Sequence, residues 1–310
     1  MRITLNETVT LLRTGNVVAI PTETVYGLAA WVHDLSAIEK IYSLKKRPMT
    51  NPLIVHLAES DQIVHYASSY PDDFFLLAEA FWPGPLTIIL PVKPSAIAAQ
   101  ARAGLETCAF RVPKHPVTRA LLREVSPLVA PSANLSGRPS STRPEHVEED
   151  FGREFPVLDA DMSDHGVEST IIANSKGLWQ IVRQGAISQD ALATCLGYTP
   201  QIQDKSTDTP ICPGQLFRHY APRAKLFLSE DAYDPDIPCV VGFSDRTYLG
   251  AKKVLTMGSS SCAESAAFSL YDTLRALDVQ AVEAAWVDMR FPENGLWKTL
   301  RERLTRAAQG

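Results

Sequence analysis

The sequence predicts an α/β fold built on a mixed sheet, and three observations carry that expectation. Short apolar runs bounded by turn residues alternate with segments of helical period. Several of those runs follow one another with no helix between them, which a purely parallel sheet does not allow. A polar stretch rich in Pro, Thr and Asp over residues 197–215 then separates a longer portion from a shorter one with the same alternation.

Taken in order, Asn6 is placed to cap a helix over residues 6–14, and Gly15 to end it. VVAI, residues 17–20, reads as a buried strand that runs into PTETVYGLAA. Asp34 caps a second helix, LSAIEKIYSLKKR, which carries Leu35, Ile38, Ile41, Tyr42 and Leu44 at helical spacing. Pro48 stops it, because the residue before a proline avoids the helical region. Strands at 52–57, 86–92 and 108–112 and helices at 72–82 and 116–125 follow. PLVA, residues 127–130, is a short strand that opens onto the polar cluster VAPSANLSGRPS. After a helix at 143–150 come FPVLDA, STIIANS and LWQIV in succession, and a helix at 188–196 closes this portion. Beyond the polar stretch, AKLFL, CVVGF and KKVLTM read as strands, 261–277 as an amphipathic helix, AAWVDM as a strand and 294–308 as a last helix. The expected organisation is a larger domain over 1–196, a linker or lid over 197–222 and a small α/β domain over 223–310.

Bulk properties narrow the function. The 310 residues suit two domains, and a net charge of −5 argues against the broad basic footprint that holds duplex nucleic acid. No run reaches the roughly 18 apolar residues of a membrane span, and the N-terminus has no apolar signal core. Cys108, Cys195, Cys212, Cys239 and Cys262 are scattered and form no C-x-x-C pair, the pattern of reduced thiols in a cytoplasmic protein. H-E-x-x-H, G-x-S-x-G, G-x-G-x-x-G and the P-loop motif are all missing.

In their place, the larger domain sets polar and cationic residues at the ends of strands, where ligands of open α/β sheets gather. Lys45, Arg47, Arg111, Arg138 and Arg183 offer positive charge, and Arg forks match phosphate and carboxylate oxygens in two-point fashion. Thr24, Ser132, Asn134, Ser140 and Ser169 offer neutral hydrogen bonds. That inventory suits a triphosphate beside a carboxylated second substrate, with no obvious covalent nucleophile. Each residue also has a plainer reading. A Lys-Lys-Arg run at a helix C-terminus complements the dipole, a histidine in an apolar strand is often a satisfied core residue, Ser and Asn form turns, and Glu168 reads as a cap or pair.

PTETVYGL, K-x-R-P-x-x-NPLIVH, FWPGPLT, RVPxHP, APSANLSGRPS and GVEST occur in one order, and they resemble the YrdC-like family of L-threonylcarbamoyladenylate synthases over nearly all of residues 10–196. PGQLFRHYAPRA, residues 213–224, resembles the linker of the longer two-domain members. The resemblance implies a YrdC-like open twisted mixed sheet with flanking helices, followed by a smaller Rossmann-like domain. It implies a nucleotidyltransferase that makes threonylcarbamoyl-AMP and pyrophosphate from L-threonine, bicarbonate and ATP. The product is handed to a separate transferase that modifies the tRNA adenosine beside the anticodon, and a weak tRNA contact by the synthase itself is left open. Carried over by motif, Thr24, His56, Arg111, Ala130 and Ser169 resemble the threonine-binding residues. Arg47, Asn51, Thr107, Ser132, Ser140, Arg183 and Tyr220 resemble the ATP-binding ones, and Lys45, Arg47, Ser132 and Asn134 the catalytic K-x-R and S-x-N signature. Mg2+ is expected with the ATP phosphates rather than on a protein motif. Lys46 and PGQLF depart from the family pattern. Two other classes compete: an RNA-binding module, which the acidic balance disfavours, and a carbamoyl-transfer enzyme, whose acylphosphatase and zinc-finger-like segments are missing here.

Overall fold

The computed structural model describes residues 1–160, 162–203 and 219–309. The larger unit begins with β1 (Arg2–Ile3), α1 (Leu5–Arg13), β2 (Val18–Ile20), β3 (Gly27–Trp31), α2 (Leu35–Lys45), β4 (Ile54–His56), α3 (Ile63–Tyr66) and α4 (Phe74–Phe81). It continues through β5 (Leu86–Pro91), β6 (Thr107–Arg111), α5 (Pro116–Glu124), β7 (Leu128–Val129), α6 (Pro144–Phe151) and β8 (Val157–Leu158). It ends with β9 (Thr170–Ser175), β10 (Leu178–Arg183), α7 (Gln189–Leu196) and β11 (Gln201–Ile202). These strands form a mixed 11-stranded sheet in the order β1-β8-β2-β3-β7-β4-β6-β5-β9-β10-β11.

Alternation along the strands sorts side chains onto two faces. Ala19, Leu28, Val55, Phe110 and Ile172 join one core with residues of α2, α4, α6 and α7. Val18, Ile20 and Ala29 join another with Leu12 of α1 and Leu121 and Leu122 of α5. On this second face, the middle strands contribute a smaller apolar cluster of Ile54, Ile89, Ala109, Ile171 and Val182. The functional side chains project from that region.

Two helix ends differ from expectation. The cap of α1 is Thr4, whose hydroxyl accepts from the Glu7 N–H while the Glu7 carboxylate accepts from the Thr4 N–H. Asn6 lies inside the helix, because this reciprocal pair satisfies two end groups at once. Helix α2 is capped by Asp34 as expected, yet it stops at Lys46, before Pro48. Lys46 takes a left-handed conformation, with φ 52°, and its N–H returns to the carbonyls of Ser43 and Tyr42. That turn leaves Lys46 exposed and drives Arg47 inward.

The small unit comprises β12 (Lys225–Ser229), β13 (Cys239–Gly242), β14 (Lys253–Thr256), α8 (Ala263–Val279), β15 (Ala284–Asp288) and α9 (Gly295–Ala308). Its sheet, β12-β15-β13-β14, is wholly parallel, as a Rossmann-like plan requires. Leu226, Val241 and Val287 pack against Leu270 and Leu274 of α8 and Leu300 and Leu304 of α9. The large sheet extends past residue 196 through β11, which pairs with β10. Most of the expected lid, including PGQLF, lies outside the described residues.

Candidate active site

Strand register builds the site. β4 and β6 run parallel with His56 opposite Arg111, and alternation puts both on the face of Ile54 and Ala109. The segment after β2 brings Thr24, the segment after β7 brings Ala130 through Ser140, and the approach to β9 brings Ser169. Arg183 ends β10. Gly27 allows the close contact this needs: a Cβ there would lie 3.1 Å from the Ala130 Cβ. Together, Thr24, Arg47, His56, Arg111, Ala130, Ser132, Asn134, Ser140, Ser169, Arg183 and Tyr220 line one cavity with an empty volume of about 630 Å³ up to its open mouth.

The hydrogen bonds assign each group a local task. Arg111 donates from Nη2 to Glu23 Oε1 at 2.6 Å, from Nη1 to the Thr24 hydroxyl at 2.9 Å and from Nε to the Gly84 carbonyl at 3.1 Å. The other Glu23 oxygen accepts from the Lys114 N–H at 2.9 Å. The Arg111 fork is thus shared with a buried carboxylate rather than held open. On the far wall, Arg183 Nη2 donates to the carbonyl and hydroxyl of Ser169, at 2.8 and 3.1 Å, and that hydroxyl also bonds Thr87 at 2.7 Å. Arg47 Nη2 donates to Asn51 Oδ1 and to the Pro52 carbonyl, at 2.6 and 2.8 Å. Ser140 donates to Glu168 at 2.6 Å. Asn134 donates its amide to the carbonyls of Leu135 and Arg138, and its Oδ1 is buried without a partner.

Four singled-out residues do not line the cavity, and one of them, Arg138, pairs instead with Asp150 and Asp278. Lys45 is fully buried beneath it, donating to the backbone carbonyls of Ser132 and of Asn134, the latter at 2.6 Å. It holds the S-x-N loop from behind, so a direct contact with phosphate, the role its charge suggests, does not match this arrangement. Asn51 supports Arg47. Thr107 is on the same face of β6 as Arg111 but four residues away, about 13 Å along the strand. Extending the β4–β6 register sets it beside Pro52, at the Arg47 end.

Comparison with known proteins bears directly on this arrangement. A family model described as Telomere recombination (Sua5, YciO and YrdC) matches residues 10–185, and one described as Threonylcarbamoyl-AMP synthase, C-terminal domain, matches residues 187–309. The chain belongs to the two-domain, YrdC-like threonylcarbamoyl-AMP synthase family. The Bacillus subtilis threonylcarbamoyl-AMP synthase is 39% identical, covering 97% of this chain and 91% of its own. The Pyrococcus abyssi synthase is 35% identical, over 96% and 92%. The crystal structure of P. abyssi Sua5 complexed with L-threonine superposes with a TM-score of 0.90 at 31% identity, covering 100% of this chain and 96% of that one. E. coli YciO, at 22% identity and a TM-score of 0.53 over 58% of this chain, shares the fold of one part.

Sequence reasoning did not single out Glu23, Thr87 or His219. Glu23 sits inside the quoted PTET, but nothing local says that its carboxylate reaches Arg111. His219, beside Tyr220 in RHYAP, lines the cavity with Nε2 buried and unpartnered. Glu168, weighed earlier as a cap or pair, is a pair: it bonds Ser140, Tyr271 and Arg303.

Burial and the Arg111 charge push the His56 imidazole down to about 3. It is therefore neutral at pH 7, and its Nδ1 lies 3.3 Å from the Ile54 carbonyl. Because the unfolded histidine titrates near 6.5, an unfolded chain takes up this proton first as the pH falls. His56 leaves stability unaffected above about 6.5 and subtracts about 1.4 kcal/mol per pH unit from there down toward its folded value. Urea midpoints at pH 7, 6 and 5 should fall accordingly. The decline should be shallower in His56→Gln, and an equal slope in both proteins would exclude this origin.

Burial alone would raise the Glu23 carboxyl, but the charge and hydrogen bond of Arg111 hold it below the ordinary carboxylate range. Glu168 is likewise held down, against its burial, by Arg303 and Arg183. Both pairs therefore stabilise the fold above about pH 4.3 and are lost as the pH falls through the lowered folded values.

Proposed function

We propose that this chain joins L-threonine, bicarbonate and ATP into threonylcarbamoyl-AMP with release of pyrophosphate, a nucleotidyl transfer that supplies the threonylcarbamoyl group for tRNA. The observation that carries the reading is one cavity lined by Thr24, His56, Arg111 and Ser169 together with Arg47, Ser140 and Arg183. The first group reads the amino acid: hydroxyls and a shared guanidinium meet its carboxylate and amine. The second group neutralises nucleotide phosphates, and Ser132 lines the same cavity.

Bicarbonate yields carbon dioxide and hydroxide; the threonine amine, as its free base, adds to the carbon dioxide, and the N–H proton it gives up converts the hydroxide to water, leaving a carbamate. A carbamate oxygen then attacks the α-phosphorus, an O–P bond forms and the bond to the pyrophosphate oxygen breaks. This transfer needs alignment and charge neutralisation rather than a protein nucleophile. An imidazole held at about 3 is too weak a base to take the amine proton at neutral pH, so His56 orients the substrate. Mg2+ would arrive with the nucleotide and be held by phosphates and water. The carboxylates at hand, Glu23 and Glu168, are already bound to Arg111 and Arg303. Handing the product to a tRNA-modifying transferase fits a cytoplasmic enzyme.

Pyrophosphate release is the test. It should require threonine, bicarbonate and ATP together, and should be lost on omission of any one. Threonine-independent hydrolysis, or salt-steep RNA binding with no turnover, would replace this reading with another.

A further inference from the structure

The small domain has no part in the chemistry proposed above, yet two of its side chains reach the back wall of the cavity. Glu168, buried and ahead of Ser169, spends one carboxylate oxygen on the Ser140 hydroxyl at 2.6 Å. Tyr271 of α8 donates to the same carboxylate, at 2.8 Å to Oε2, and Arg303 of α9 donates to Oε2 from Nε at 3.0 Å. Tyr271 and Arg303 are themselves buried. Arg303 also donates from Nη2 to the Gln184 carbonyl at 2.7 Å, directly after Arg183.

The same two residues hold Tyr220. Its ring stacks on Tyr271 with centroids 5.5 Å apart, and the Arg303 guanidinium lies 4.8 Å from its centroid. The Tyr220 backbone is left-handed, with φ 66°, which a bulky residue keeps only when its surroundings impose it. Gly185 completes the junction. A Cβ there would fall 2.4 Å from the Glu168 carbonyl, so the strand carrying Arg183 can lie directly on the segment carrying Glu168.

We propose that Tyr271 and Arg303 are positioning residues for nucleotide binding: through Glu168 and Tyr220 they set Ser140, Arg183 and Tyr220 in register around one end of the cavity. The small domain is on this view a fixed rear wall of the nucleotide half of the site. In the amino-acid half, Thr24, His56 and Arg111 are held by Glu23, Gly84 and strand register, and Ser169, although bonded to Arg183, is also held by Thr87.

This rests on the proposed reaction, and the assay separates the two. Full-length wild type, Tyr271→Phe, Arg303→Lys and Arg303→Met are compared by pyrophosphate release with ATP and threonine varied in turn, and by thermal melting. Tyr271→Phe keeps the stack on Tyr220 and removes only the hydroxyl, so it remains informative where Arg303→Met fails to fold. The expected result is a KM for ATP raised about tenfold in Tyr271→Phe, and more in Arg303→Met than in Arg303→Lys. The KM for threonine should stay within twofold. Lower melting temperatures with both KM values unchanged, equal rises in both, or a fall in kcat alone would overturn the proposal and leave these residues purely structural. An inactive wild type would instead overturn the proposed reaction.

Discussion

Arg111→Ala is expected to abolish measurable L-threonine binding and to lower the unfolding free energy by about 3–5 kcal/mol. Both effects trace to one guanidinium that serves three partners: the Glu23 carboxylate, the Thr24 hydroxyl and the Gly84 carbonyl. Removing it strands Glu23, which is fully buried, as an uncompensated charge. It also releases Thr24, so the cavity loses a cation and an oriented hydroxyl together. The two losses are separable. In the double variant Glu23→Gln, Arg111→Met no buried charge is left over, so urea unfolding should recover most of the stability. Calorimetry on that folded protein should still detect ATP but not threonine. Threonine affinity unchanged from wild type would remove Arg111 from substrate recognition.

Lys45→Met should slow pyrophosphate formation by about a hundredfold, the order expected when a loop bearing reactive-site groups shifts by about an ångström. Lys45 makes no wall of the cavity. Its ammonium gathers the carbonyls of Ser132 and Asn134, and its own carbonyl accepts from the Ser136 N–H at 2.9 Å. Methionine keeps the stem and deletes the donors, leaving the Asn134 carbonyl without its partner at about 1–3 kcal/mol, while the Ser132 carbonyl keeps the Asn134 N–H at 3.0 Å. Urea unfolding should report that cost, and stopped-time pyrophosphate assays the rate. A variant with the wild-type rate would show that the S-x-N loop needs no support from below.

The order of elements was legible in the chain because periodicity and capping are local. Asp34 and Ser188 each accept from an N–H three residues on, the signal that marks a helix start. Where a local signal had a competitor, reading failed: Thr4 with Glu7 outdid Asn6, and a left-handed Lys46 ended α2 before Pro48 was reached. β3 stayed hidden inside PTETVYGLAA because its turn and strand are continuous in sequence. The polar strand ends were visible as a set. Which of them line the cavity was not, since Lys45 and Arg47 sit two residues apart and only a turn separates a support beneath the loop from a wall of the cavity.

Residue types, their spacing and the motifs they spell determined by themselves the α/β class and the two-domain family to which the chain belongs. These are properties of neighbouring residues along the chain. Tertiary structure alone decided that Arg111 answers to Glu23 across 88 residues and that Glu168 answers to Arg303 across 135. A buried charge must find its counter-charge wherever the fold delivers one, and that address is written in packing rather than in local sequence.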